Sequence, residues 1–184
     1  LEGYLAPDHP VQGIITEHVA RLAGIDTDAV GVAVDGCGAP TFVVPLLAAA
    51  RSIACFASPR RARELEEAVA RVAAAWKAHP HLIAGPARID TVVMEQTAAP
   101  VLSKGGAEGV NVVADLESDT TFVVKCVDGN PRGSDAFTVA LLERYGSATA
   151  AEADRIRAAL GIGTIRDRAD QVVGRVEAVL PEPS

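Results

Sequence analysis

The chain changes character at Pro100. Before it, apolar residues recur at three- and four-residue spacing. After it come three short apolar runs, Val101–Lys104, Gly109–Asp115 and Thr121–Val127, separated by glycine or acidic turns. The first pattern lays one stripe along a helix, and the second suits strands joined by tight turns. Helices followed by grouped strands do not alternate as βαβ units. The expected fold is therefore α+β, an antiparallel sheet covered by helices. With 184 residues, the chain is long enough for a single α+β domain (1–184) with a sizeable core.

Individual elements can be placed within that frame. Asp8-His9-Pro10 reads as a helix start with Asp8 as cap, followed by Val11, Ile14, Ile15, Val19 and Leu22 on one face and a stop at Gly24. Ala29–Val34 is a short β-type run that empties into Asp35-Gly36-Cys37-Gly38-Ala39-Pro40, a segment dense in turn formers. Phe42–Ala57 reads as a buried helix, its regular part delayed by Pro45. Ser58-Pro59 caps the next helix, whose stripe is Leu65, Val69, Val72 and Trp76. Arg88–Gln96, Asp135–Tyr145 and Ala150–Leu160 are further helices, Val172–Leu180 is a final strand, and Pro181–Ser184 is a frayed tail.

Charge and cysteine usage narrow the function classes. Seventeen basic residues against 24 acidic ones give a net charge of −7. Without a Lys/Arg run there is no footprint for nucleic acid or for an anionic membrane surface. No apolar stretch approaches the roughly 18 to 20 residues that span a bilayer. The first residues, Leu1 to Pro7, have neither the basic start nor the apolar run of a signal peptide. Three widely spaced cysteines, Cys37, Cys55 and Cys126, suit a reducing, cytoplasmic compartment better than a disulfide scaffold. Only three lysines stand against 14 arginines. Arginine cannot lose its proton and lysine can, so each surviving lysine is of chemical interest.

The candidate chemistry gathers in two glycine-rich segments. In Asp35-Gly36-Cys37-Gly38, two glycines bracket a thiol at a strand end. Cys37 is either a thiolate, as metal ligand or nucleophile with Asp35 as ligand or orienting group, or a small apolar residue in a turn. In Ser103-Lys104-Gly105-Gly106-Ala107-Glu108-Gly109, a lysine ends a strand just before two glycines. Lys104 either faces a cleft, where it stabilises a carboxylate or oxyanion or acts as a base, or is a solvated lysine in a hairpin turn. Cys55 and Cys126 read as core, and His18 as a core or boundary residue. His79 and His81 are a weak metal pair on their own. A nucleophilic Cys37 would need a histidine base, and none lies near it in sequence. The motifs Gly-x-Ser-x-Gly, His-Glu-x-x-His, Gly-x-Gly-x-x-Gly and Ser-x-x-Lys are all missing from these residues.

The blocks Gly3-Tyr4-Leu5, His9-Pro10-Val11-Gln12, Val34-Asp35-Gly36-Cys37-Gly38-Ala39-Pro40-Thr41-Phe42, Pro45-Leu46, His79-Pro80, Ala84-Gly85, Arg88-Ile89-Asp90-Thr91, Ser103-Lys104-Gly105-Gly106-Ala107-Glu108-Gly109-Val110 and Asp128-Gly129 run through most of the chain. In order and spacing they resemble the bacterial L-asparaginase II family. The resemblance implies a fold related to the serine β-lactamases and penicillin-binding proteins, with Lys104-Gly105-Gly106 in place of their Lys-Thr-Gly strand. It also implies hydrolysis of L-asparagine to L-aspartate and ammonia through a serine acyl-enzyme. Lys104 matches the cleft lysine and is the expected catalytic residue, with Asp35, Ser103 and Gly105 as substrate-binding residues. The cofactor implied is zinc, held in the family by two cysteines and a lysine, of which Cys37 matches one.

In the family, a Ser-x-x-Lys pair and a Cys-Ser-Gly-Lys-His block precede the segment that corresponds to Gly3. This chain is therefore expected to represent the C-terminal portion of a family member. It is then expected to lack the nucleophile and two of three zinc ligands, and to be inactive alone. The alternative is a non-catalytic module that binds a small ligand or depends on a partner. A small amide is the expected substrate. Exposed apolar surface is expected to drive homo-oligomerisation or pairing with the missing half.

Overall fold

A computed structural model describes residues 2–182. The first half is helical. Helix α1 (Pro10–Ala23) leads into a hairpin of β1 (Gly31–Val34) and β2 (Pro40–Val43), then α2 (Leu46–Ala57), a 3-10 stretch (Pro59–Leu65), α3 (Glu66–Ala78), the short α4 (Pro80–Ala84) and α5 (Ile89–Gln96). The second half holds β3 (Val101–Gly106), β4 (Val110–Asp115), β5 (Thr121–Lys125), α6 (Pro131–Arg144), α7 (Ala150–Leu160) and a closing hairpin, β6 (Thr164–Arg166) with β7 (Val172–Arg175). The three central strands form an antiparallel meander in the order β3-β4-β5. The α+β expectation and the meander after Pro100 both hold.

Alternation along the strands sends neighbouring side chains to opposite faces, and here both faces are apolar and both are covered. Val101 and Val113 pack with Ile89 and Val93 of α5, Val139 and Leu142 of α6, and Ile156 of α7. Leu102 and Ala114 point the other way, to Ala73 and Trp76 of α3 and to Phe56 of α2. There Phe56 meets the Trp76 ring edge-to-face at 5.7 Å. A separate cluster of Leu22, Cys55, Ala62, Leu65 and Val69 joins α1, α2, the 3-10 stretch and α3. Cys55 is core, as expected.

The differences from the sequence reading are local. The cap of α1 is His9, whose Nδ1 accepts from the Val11 N–H at 3.1 Å, and not Asp8. Ile14 and Ile15 face outward, while α1 buries Gln12, Ala20 and Ala23. His18 is exposed, with its Nδ1 at 2.6 Å from the Ile14 carbonyl oxygen. Residues 40–43 form β2, and Pro45 is the N-cap of α2. Val72 is exposed and Ala73 takes its place in the buried stripe. Cys126 is half-buried, its thiol donating to Asp128 Oδ1 at 2.9 Å. Helix α6 begins a turn early because Asn130 caps it through the Arg132 N–H and Pro131 suits its first position. The expected final strand is confined to β7, paired with β6, and the expected tail lies partly outside the described residues. Among the described residues no helix is long and apolar enough to cross a membrane.

Candidate functional site

Lys104 stands on β3, an outer strand of the central sheet, opposite Val112 of β4; Ser103 lies opposite Val113 and Gly105 opposite Asn111. Side chains close the border of β3. Trp76 Nε1 donates to the Ser103 carbonyl at 3.2 Å. Asp90, from α5, accepts from the Gly105 N–H, and Lys104 Nζ donates to the Gly105 carbonyl. The Lys104 side chain is 47% exposed, whereas the Asp90 side chain is 1% exposed, with its Oδ2 at 3.9 Å from Nζ.

Asp90 opens onto a wider polar cluster. Asn111 Nδ2 donates to Asp135 Oδ1 at 2.9 Å and to Thr138 Oγ1 at 3.2 Å. Burial pushes the Asp90 carboxyl above the usual carboxylate range, against the pull of Lys104, the Gly105 N–H and Arg88. Burial also raises Asp135, opposed by hydrogen bonds from Asn111 and Ser134 and by Arg88, and reinforced by the nearby Asp90 charge. The lack of a side chain at Gly105 lets these groups meet. A Cβ there would stand 3.2 Å from both Asn111 Oδ1 and Asp90 Oδ1. The close backbone approach expected of this glycine is thus made to the protein's own carboxylate.

Ser103, Lys104 and Gly105 therefore form one unit with Asp90. Ser103 is fully buried, and its Oγ has no hydrogen-bond partner among the described residues. From the sequence, Asp90 stands out only inside a matching block, Asp135 only as a helix boundary and Asn111 not as a site residue. The one available signal was a polar Asn111 inside the otherwise apolar run Val110 to Ala114.

Asp35 and Cys37 occupy the turn between β1 and β2. Asp35 Oδ1 accepts from the N–H groups of Cys37 at 2.8 Å and Ala39 at 3.1 Å, so this carboxylate shapes its own loop. The Cys37 thiol is free and exposed. No group of three or more His, Cys, Asp or Glu that could hold a metal ion occurs among the described residues. One thiol beside a carboxylate already engaged with its own backbone does not make a zinc site. Of five cavities between about 280 and 590 Å3, none is lined by Lys104, Asp35 or Cys37.

Fold and site together define an α+β protein in which Ser103, Lys104 and Gly105 meet Asp90 at one border of the central sheet, while Asp35 and Cys37 stand apart in the β1–β2 turn. Its sequence matches the family model of L-asparaginase II over residues 1–178, and the chain belongs to that family. No curated protein matches it.

Proposed function

We propose that this chain contributes the edge-strand lysine to hydrolysis of L-asparagine to L-aspartate and ammonia, in a fold of the serine β-lactamase kind. The observation that carries this reading is the family match over residues 1–178, which includes Lys104, whose side chain is half exposed on β3. Hydrolysis through an acyl-enzyme needs a nucleophilic hydroxyl with a base, a donor at the developing oxyanion and groups that hold the substrate. Lys104 supplies the donor, toward either the oxyanion or the substrate carboxylate. Asp90 is a positioning residue that fixes the Gly105 backbone and stands beside the amine. Gly105, Ser103 and Asp35 are the proposed substrate-binding positions, Ser103 through the strand backbone that Trp76 holds.

The nucleophile comes from outside these 184 residues, which contain no Ser-x-x-Lys. Ser103 does not replace it, because its hydroxyl is buried and lacks a base. A partner-dependent role follows: the chain alone leaves asparagine intact and becomes active when joined to a family segment bearing Ser-x-x-Lys. Ammonia release from L-asparagine and L-glutamine tests this. The joined protein is expected to release ammonia from L-asparagine, and Lys104→Ala to reduce that rate about 100-fold or more. Ammonia release by the chain alone that disappears on substituting Ser103 would overturn the reading, as would a joined protein indifferent to Lys104.

A further inference from the structure

A cavity of about 500 Å3 lies among the C-terminal end of α1, the middle of α2 and the 3-10 stretch before α3. It shares no residue with the polar cluster around Lys104. Its lining includes Arg21, Arg51, Arg61 and Arg63 with Glu64 as the only acidic residue, a local charge of +3 in a chain whose net charge is −7. The floor is apolar, formed by Leu22, Ala54 and Ala62.

Two of these guanidinium groups are engaged. Arg21 lies 3.6 Å from Glu64, and Arg61 lies 2.5 Å from Asp119 in the turn after β4. Arg51 and Arg63 make neither an ion pair nor a side-chain hydrogen bond among the described residues. With Arg21 and Arg61 each facing one carboxylate, Arg51 and Arg63 leave two positive charges at the cavity that no acidic side chain offsets, and an anion there would lower their mutual repulsion. The backbone adds a further cost, since Arg63 adopts φ 52° and ψ −115°, a region that a side-chain-bearing residue rarely enters.

We propose that this cavity binds a small phosphate-bearing anion, with the charged group among the four guanidinium groups and any apolar body against the Leu22–Ala54–Ala62 floor. The arginines come from three separate elements and approach from several sides. A tetrahedral dianion can accept from all of them, whereas a planar carboxylate is matched by one bidentate guanidinium. Arg51 supplies charge from α2 and Arg63 from the kink, and both are free to turn inward because both are exposed and unpaired.

Inorganic pyrophosphate is the probe, and thermal unfolding of the chain is the readout. About 2 mM pyrophosphate is expected to raise Tm by about 5 °C, the shift due to a ligand tens of times above its Kd. Orthophosphate should give a smaller rise. Sodium chloride at matched ionic strength should give none. The double variant Arg51→Gln/Arg63→Gln, with native circular dichroism, should lose the shift. A second measurement needs no variant: calorimetric titration of pyrophosphate into the chain should give one binding site per chain, with a Kd in the range of about tens of micromolar that weakens as sodium chloride is added. The proposal is overturned if chloride matches pyrophosphate, if citrate stabilises more than pyrophosphate, if a folded double variant keeps the shift, or if the titration shows no saturable site.

Discussion

At the scale of single residues, the candidate site turns on Asp90. It is almost fully buried, accepts from the Gly105 N–H and faces the Lys104 amine. Asp90→Ala would leave a buried N–H without an acceptor, a loss of about 1 to 3 kcal/mol. Asp90→Asn keeps an acceptor oxygen and removes a charge that burial disfavours, so its stability should stay within about 1 kcal/mol of the parent. Urea denaturation of the two variants measures the difference. Equal losses would mean that the contact with Gly105 contributes little. Gly105→Ala is a companion test. Its new methyl would press on Asn111 and Asp90, which are held in the cluster, and overpacking of this kind costs about 1 to 3 kcal/mol. Lys104 and Gly105 were legible in the sequence because a lysine followed by two glycines at a strand end is a local pattern. Asp90 was not, because no local signal says which turn of a helix will meet a strand border fifteen residues away.

At the scale of elements, buried carboxyls tie loops and helix ends to the sheet, and they pull stability in opposite directions with pH. Asp115 ends β4; burial pushes its carboxyl up, but the Ser147 hydroxyl at 2.7 Å and the Ser118 and Glu117 N–H groups outweigh this and hold it low. Glu152 is held low by N–H groups of Thr149, where it completes the capping box of α7, and of Ala98. Depressed carboxyls stabilise the fold above their unfolded pKa, about 3.9 for Asp and 4.3 for Glu, and that contribution is lost as pH falls through the folded values. Asp90 and Asp135 are raised, so their contribution is present below the unfolded value and is lost as pH rises through the folded ones. Denaturation free energies measured from about pH 3 to pH 7 should show Asp115→Asn weakening the dependence on the acid side, near and below the unfolded carboxylate pKa. Asp90→Asn should instead remove a decline just above it. The same slope change in both variants would contradict the assignment. Periodicity and turn chemistry made the meander readable here, but they missed β2. Pro40 reads as the end of a turn and Pro45 as a delay in a helix starting at Phe42, yet Pro40 opens a strand paired with Val34 and Pro45 is the N-cap of α2.

At the scale of the whole molecule, apolar surface is distributed unevenly. Each face of the central sheet is covered by helices, but the β1–β2 hairpin and the start of α2 leave Val32, Val34, Val43, Leu46 and Leu47 exposed, between 46% and 64%. Because these residues are close in sequence and belong to adjoining elements, they are not the singly scattered apolar residues that any surface carries. The three-stranded sheet also ends at β5, whose far border pairs with no strand among the described residues, and Val127 just beyond it is fully exposed. An unpaired strand border is a template for further pairing. Two kinds of association surface therefore coexist in a chain of 19.0 kDa, and burying them together is more favourable than hydrating both. The chain on its own is expected to self-associate, with a concentration-dependent mass above that of one chain in light scattering. Replacing Val34 and Leu47 by Ser or Lys, where each side chain is more than half exposed, should shift the distribution toward monomer with little change in unfolding free energy. If the proposed segment bearing Ser-x-x-Lys packs on this surface, joining it to the chain should reduce self-association in the same way. A clean monomer at high concentration without any such change would mean that these surfaces are not sticky, and would count against the proposed partner-dependent role.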